Sequence, residues 1–598
     1  MEKPILVFLH GVAHDEVGDD WRDTLAESLA QVGYPDLEAV TVIAPQYLHT
    51  LRGADDKEPL PPLTVRVPSG EAARRNRREF ERRIGALEVA LGRQDRGVGI
   101  FGGDDVVNVA MAHPYFVQAH NYVNKPQIRA QVLTRVLRQL PESGRIAIVG
   151  HSLGSVIAAD LIRRLPETVE VGGLVTLGSP LASKRFDVSG LRGDLREPPT
   201  NLAWWVNLWN GADPVTAGRG VSTVIPWALD CRVPFLANEA LHVHDVDTYL
   251  ADSTVGTAVG LAVFGSRSKE VAAVDRGVEI PMDAYETATV LALSFAHLLS
   301  RGLDGERRAR FTDALRQVQA NMVEMVAHRN ALEGRPLPTA IARLRVDLGD
   351  PECGAPEPHA VGHLAREDAV LPLVTIAAMN VMQPFEIAVP KPLRRESMSR
   401  LALAMGLGSQ FGKDVVDSLD SARRAVQDGP NWGTVAAVGV GAAAIVAATG
   451  GLALAAAPGV VGAAAITSAL AAFGPGGMIG GLITAGGLVS AGGGSIAFGL
   501  ASASTAAATV ETLVQVHLAA ATLRHNSQIE QDPTTWLTLT ETGIEVQREL
   551  ARLEPLSDPD SVAVKELRRK KVAIDRALAY LLNEGMVPEE DARGSDPT

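Results

Sequence analysis

The sequence predicts an α/β fold, a doubly wound and mostly parallel sheet, followed by all-α regions that include an Ala/Gly-rich hydrophobic hairpin segment. Three observations predict it. Over residues 1–265 short, β-branched apolar runs alternate with segments whose apolar residues recur about every 3.6 positions, the pattern of strands joined by helical crossovers. From residue 281 the periodicity is helical over 281–345, 371–382, 398–426 and 534–582, with a Pro/Gly/Glu-rich break at 349–358. Between residues 429 and 510 no Asp, Glu, Lys or Arg occurs, and Ala and Gly dominate. The chain has 598 residues, and single cores stop growing near ~250–300 residues, so it divides into domains. The expected divisions are 1–265, a helical connector at 266–428, the Ala/Gly-rich hydrophobic segment at 429–525 and charged helices with a polar tail at 526–598.

In order, residues 5–9 form a strand buried on both faces and ending in His10-Gly11. Residues 20–31 place Trp21, Leu25 and Leu29 on one helical face, and 40–44 give the second strand. The stretch 45–145 is longer than an ordinary crossover. It holds a proline-rich run at 59–68, a helix at 71–91 and an aromatic, His-bearing segment at 113–122, and is expected to cap a pocket. Residues 146–149 are a short apolar strand, Gly150-His151-Ser152-Leu153-Gly154 follows at once, and helical spacing begins at Ser155. Strand, G-x-S-x-G, helix is the setting of a nucleophile elbow, in which glycines permit a turn tight enough to push the serine out at a helix N-terminus. Further strands are expected at 173–177, closed by Gly178-Ser179-Pro180, and at 201–208, which leads into Asn210-Gly211-Ala212-Asp213-Pro214-Val215. The segment Leu241-His242-Val243-His244 then runs into a helix near Val246.

These residues resemble an α/β-hydrolase of the lipase/esterase type across 1–265. His10-Gly11 is similar to the family's turn after the first strand, Gly150 to Gly154 to its elbow, and Asn210 to Val215 to the loop that carries its acid. The order Ser, Asp, His is also the family's. The resemblance implies an ester, thioester or amide hydrolase but not a substrate; the expectation is a serine esterase that needs no cofactor and acts on acyl or lipid esters. Ser152 would be the nucleophile, Asp213 the acid and His244 the base. A serine hydroxyl reacts only when a base takes its proton, and that base needs a carboxylate on its other nitrogen. His242 competes with His244, which lies next to the helix start and five residues before Tyr249. Asp104 and Asp105 compete less well with Asp213, because they precede the serine. Backbone amides of Leu153 and of Gly11 or Val12 would form the oxyanion hole. His10 is expected to shape its turn and His151 to pack inside the elbow. A metal set of His242, His244 and Asp245 lacks further placed ligands, and no metal is expected.

A net charge of −14 argues against nucleic acid as the main partner. Two cysteines, Cys231 and Cys353, cannot make a disulfide framework, which suits a reducing compartment. The first apolar run, about five residues, is too short for a signal peptide, so the expected location is cytoplasmic, with contact to the inner face of a membrane through 429–510. That stretch far exceeds the ~20 residues that cross a bilayer, yet Ala and Gly partition weakly, and a buried hairpin is the competing reading. A second function follows from it: a membrane-perturbing or scaffold protein in which the hairpins act and the N-terminal domain is a sensor or remnant. Arg74, Arg75, Arg77, Arg78, Arg82 and Arg83 crowd one helix, read as a solvated face, and Trp204, Trp205 and Trp209 are read as core. Oligomeric state is left open.

Overall fold

A computed structural model describes residues 3–12, 18–53, 57–92, 94–97, 117–234, 242–267, 277–359, 364–427 and 507–587. The chain divides into two units, one of residues 1–272 with 347–352 and the other of 273–346 with 353–598.

The first unit is built on a sheet of six strands, all parallel: β1 (Ile5–Leu9), β2 (Thr41–Ile43), β3 (Gly144–His151), β4 (Val169–Leu177), β5 (Trp205–Trp209) and β6 (Leu229–Arg232). Their order across the sheet is β2-β1-β3-β4-β5-β6. The chain therefore winds outward in both directions from β1 and β3, with Ile5 to Leu9 in register with Ile146 to Gly150. β1, β3 and β4 are apolar on both faces because helices cover both, as parallel sheets require. On them pack α1 (Asp20–Gln31), α2 (Leu48–Arg52), α3 (Gly70–Leu91), α4 (Val117–Asn124), α5 (Pro126–Leu137), α6 (Leu153–Leu161), α7 (Val246–Leu250) and α8 (Ser253–Phe264). In α1 the expected face is buried, with Leu25 and Leu29 at the core and Trp21 stacked on Phe8 at 3.9 Å.

The strands differ from the sequence expectation at their ends. β4 starts four residues earlier, because Val169 and Val171 alternate into the core and the strand continues through Gly172 and Gly173 with a bulge against β3. β5 starts four residues later than 201, since Pro199 to Leu202 closes a turn first, the Leu202 N–H donating to the Pro199 carbonyl at 3.1 Å. β6 was not expected: it is four residues long and carries Asp230 at a fully buried position. Described parts of the long insertion pack against the residues that follow α6 and against each other. The Thr64 N–H donates to the Arg163 carbonyl at 2.9 Å, and Asn121 Nδ2 donates to the Leu51 carbonyl at 2.8 Å. Residues 98–116, which include Asp104, Asp105 and His113, lie outside the described residues.

The second unit is helical. Its elements are α9 (Ala284–Gly302), α10 (Gly305–Leu332), α11 (Arg366–Ala378), α12 (Lys391–Ala404), α13 (Ser409–Gln427), α14 (Ala507–Asn526), α15 (Pro533–Leu553) and α16 (Val562–Asn583). Leu291, Phe311, Leu373, Met398, Val415, Leu518, Leu539 and Ile574 contribute one apolar side chain from each helix to a common core. The uncharged stretch, apart from its last few residues in α14, lies outside the described residues. No described helix is long and apolar enough to cross a membrane.

Candidate active site

β3 ends at His151, and α6 begins at Leu153. Ser152 must reverse the chain alone, and does so at φ 52°, ψ −122°, a conformation that costs an L-residue on the order of 1–3 kcal/mol. The flanking glycines allow it by close approach. A Cβ on Gly150 would stand 2.7 Å from the Gly154 carbonyl oxygen, and one on Gly154 would collide with the Leu9 carbonyl oxygen of β1. The Ser152 N–H donates to the Leu177 carbonyl at 3.0 Å, which pins the turn to β4.

Asp213 follows β5 through the Asn210 turn and caps a single 3-10 turn (Pro214–Thr216), its Oδ1 accepting from the Val215 N–H at 2.9 Å. Its other oxygen, Oδ2, lies 2.8 Å from His244 Nδ1 and accepts from the Tyr249 hydroxyl at 2.8 Å. His244 closes the 3-10 turn His242–His244 just before α7. Its Nε2 lies 2.8 Å from Ser152 Oγ. A carboxylate only accepts, so Nδ1 is the donor to Asp213, and Nε2 is left free to accept the serine proton. The fold thus brings Ser152, His244 and Asp213 into one line of hydrogen bonds. His242, whose side chain lies outside the described residues, stands two positions earlier. Ser152 and Asp213 are almost wholly buried, and the His244 side chain retains 16% exposure, so the imidazole is the group that meets solvent.

The other two histidines hold the frame. His151 Nε2–H donates to the backbone carbonyl of His244 at 2.8 Å. Burial, with the neighbouring His244 second, pushes its pKa well below the ordinary 6.5, so it stays neutral. His10 stacks on Tyr47 at 4.1 Å and donates from Nδ1 to the Gly11 carbonyl at 2.8 Å. Burial brings its pKa down to about 4, with the Gly11 bond partly opposing. Gly11 lies directly over the nucleophile: a Cβ there would stand 2.8 Å from Ser152 Cβ. Leu153, first residue of α6, presents its backbone at the helix N-terminus.

Two features of the site had roles that the sequence did not reveal. Gly178, at φ +54°, forms the wall behind the acid and base, where a Cβ would fall 2.9 Å from Asp213 Oδ2 and 3.2 Å from the His244 ring. Tyr249 was visible as an aromatic after the histidine, but its bond to Asp213 depends on α7 folding back over the acid loop. Behind the elbow, Asp160 of α6 receives Arg129 Nε at 2.6 Å and Nη2 at 2.8 Å, Arg164 Nε at 3.1 Å and the Tyr122 hydroxyl at 2.9 Å, tying α4 and α5 to the elbow helix. Among the described residues no group of three or more His, Cys, Asp or Glu is arranged to hold a metal.

Residues 95–189, which contain the elbow, match the family model of class 3 lipases. Over that segment the first unit is similar to a lipase-type α/β-hydrolase, and its six-stranded parallel sheet agrees. That family sets its chemistry among the acyl-ester hydrolases of the lipase/esterase type. No curated protein and no solved structure matches the chain. The matched segment of this lipase-type unit ends before Asp213 and His244, so their part rests on geometry alone.

Proposed function

We propose that Ser152, His244 and Asp213 act as a catalytic triad that cleaves carboxylic esters, lipid esters foremost, through an acyl-enzyme. The observation that carries the reading is the unbroken pair of 2.8 Å hydrogen bonds from Ser152 Oγ through His244 to Asp213. In the first half-reaction Ser152 Oγ attacks the ester carbonyl carbon while His244 Nε2 takes its proton. Asp213 holds the ring in the tautomer that can do this and stabilises the imidazolium that results. The carbonyl oxygen, now negative, is met by the backbone N–H of Leu153 and one from Gly11 or Val12. The tetrahedral adduct collapses, and His244 returns the proton to the departing alkoxide. Water then gives a proton to His244 and attacks the acyl carbon; the second adduct collapses, His244 gives that proton to Ser152 Oγ, and the acid and the free serine are released.

Labelling with a fluorophosphonate, together with hydrolysis of p-nitrophenyl esters, tests this. Both are expected in the wild type, and both should vanish in Ser152→Ala with the fold intact. Labelling that persists in Ser152→Ala would overturn the reading. The charge-free stretch 429–510 supports contact with a lipid surface. Hydrolysis of phospholipid in vesicles should therefore fall on deletion of that stretch, while hydrolysis of soluble esters is kept. Vesicle leakage that needs 429–510 and ignores Ser152 would favour instead the hairpins as the active part.

A further inference from the structure

At the opposite end of the sheet from Ser152, which lies seven residues of strand from Arg145 or about 23 Å at the usual rise, the first unit carries an open cavity of about 400 Å³. The size is within the range of small-molecule sites. Its walls come from α3, the starts of β3 and β4, the turn before β5, the end of α8 and residues 349–352. The β4 bulge lies in its wall. Ile146 pairs with Val171 but Ala147 with Gly173, so Gly172 is the extra residue. The guanidinium of Arg145 lies over Gly172 where a Cβ would collide with it, and the indole of Trp204 lies over Gly173 in the same way.

The charge around the cavity is unevenly satisfied. Glu352 is paired with Arg82 at 3.2 Å, Asp350 Oδ1 accepts from the Glu352 N–H at 3.0 Å, and Glu170 is exposed to solvent. Arg83, by contrast, has no ion pair or hydrogen bond among the described residues, and Arg145 reaches only the Gly172 carbonyl at 3.5 Å. Two guanidinium groups thus line one cavity with no carboxylate in hydrogen-bond contact, beside the apolar surfaces of Leu87, Trp204 and Leu261; Glu170, Asp350 and Glu352 share the wall, Glu170 opposite Arg145 on the neighbouring strand. Arginine's planar fork matches a carboxylate.

We propose that this cavity binds a small amphiphilic carboxylate, its head held between Arg83 and Arg145 and its apolar body laid against Leu87, Trp204 and Leu261. The site is separate from Ser152, and the inference stands or falls independently of the triad.

Calorimetric titration of the full chain with octanoate, 1-octanol and inorganic phosphate tests it. Octanoate is expected to bind at one site per chain, with octanol and phosphate each at least tenfold weaker, because each lacks one half of the recognised group. Arg83→Gln with Arg145→Gln should weaken octanoate at least tenfold at an unchanged melting temperature. Ala203→Phe, which fills the cavity and keeps both arginines, should do the same, so the outcome does not hang on one variant folding. Prior reaction with a fluorophosphonate should leave the titration unchanged. Octanoate binding that survives both sets of substitutions, is abolished by phosphonylation, or is equalled by octanol or phosphate would overturn the proposal, as would no binding at millimolar octanoate.

Discussion

Asp213 divides its work between two oxygens. Oδ1 is spent on the backbone of its own turn, and Oδ2 serves His244 and Tyr249 together. The tyrosine hydroxyl fixes the oxygen on which the imidazole must align, while the Asn210 N–H donates to that hydroxyl at 3.1 Å and fixes it in turn. Burial beside the Asp213 carboxylate pushes the Tyr249 pKa well above 10, so it remains a donor across the working range. Tyr249→Phe removes one hydrogen bond to a charged group, worth about 1.5–3 kcal/mol, of which only the part that orients His244 enters the rate. The expected outcome is a kcat lower by roughly tenfold with KM unchanged, read from steady-state ester hydrolysis. Asp213→Asn acts on the tautomer itself, and should lower kcat by roughly 10³–10⁴-fold while residual phosphonate labelling of Ser152 persists.

At the level of elements, the elbow depends on what lies beneath and beside it. The α6 helix carries Asp160, whose side chain is 1% exposed and is shared by Arg129 and Arg164, both 6% exposed. Removing the acid leaves two buried cations facing each other, so Asp160→Asn is expected to destabilise by about 3–5 kcal/mol, measured by urea unfolding, whereas Ser152→Ala leaves stability nearly unchanged. Gly178 supplies the complementary case at the end of β4. Gly178→Ala adds both a strained φ and a methyl group against the acid and base, so activity should fall far more than the melting temperature. These contacts explain what the sequence made legible. The elbow could be read because its signal is local: four buried apolar residues, two glycines around a serine, and an immediate change of period. The Asn210 to Val215 loop and the turn before α7 were legible for the same reason. Short β6 was not, because Asp230 interrupts its apolar pattern and is tolerated only through Asn207 and the Val221 and Ser222 amides, which arrive from elsewhere. Tyr249, Gly178 and the Asp160 cluster, and the sharing of one core by α9 to α16, are likewise facts of tertiary contact with no sequence period behind them.

Across the whole first unit, two buried groups pull stability in opposite directions with pH. His10 has its pKa lowered to about 4 by burial, against 6.5 when unfolded. The unfolded chain therefore binds the extra proton first, and the stability from neutral His10 is complete above pH 6.5 and lost as pH falls toward 4. His151 acts in the same sense. Asp230 has its pKa raised to about 6 by burial, which outweighs its hydrogen bonds to Ser222, Asn207 and Val221. Here the native state holds the proton longer, so the contribution is complete below pH 3.8 and lost as pH rises through 6. Each shift corresponds to up to about 3 kcal/mol. Between pH 4 and 6 the two slopes oppose, and the wild type should lose stability on acidification less steeply than its histidines alone dictate. Asp230→Asn, which cannot take up a proton, should steepen that acid loss, and His10→Asn should flatten it. Five of the seven tryptophans, at 21, 204, 205, 209 and 227, lie in this unit, so urea unfolding followed by tryptophan fluorescence at pH 4, 5, 6 and 7 reads it directly. Parallel slopes for wild type and Asp230→Asn would mean that the buried carboxyl does not exchange its proton in this window, and that its amide donors rather than burial govern its charge.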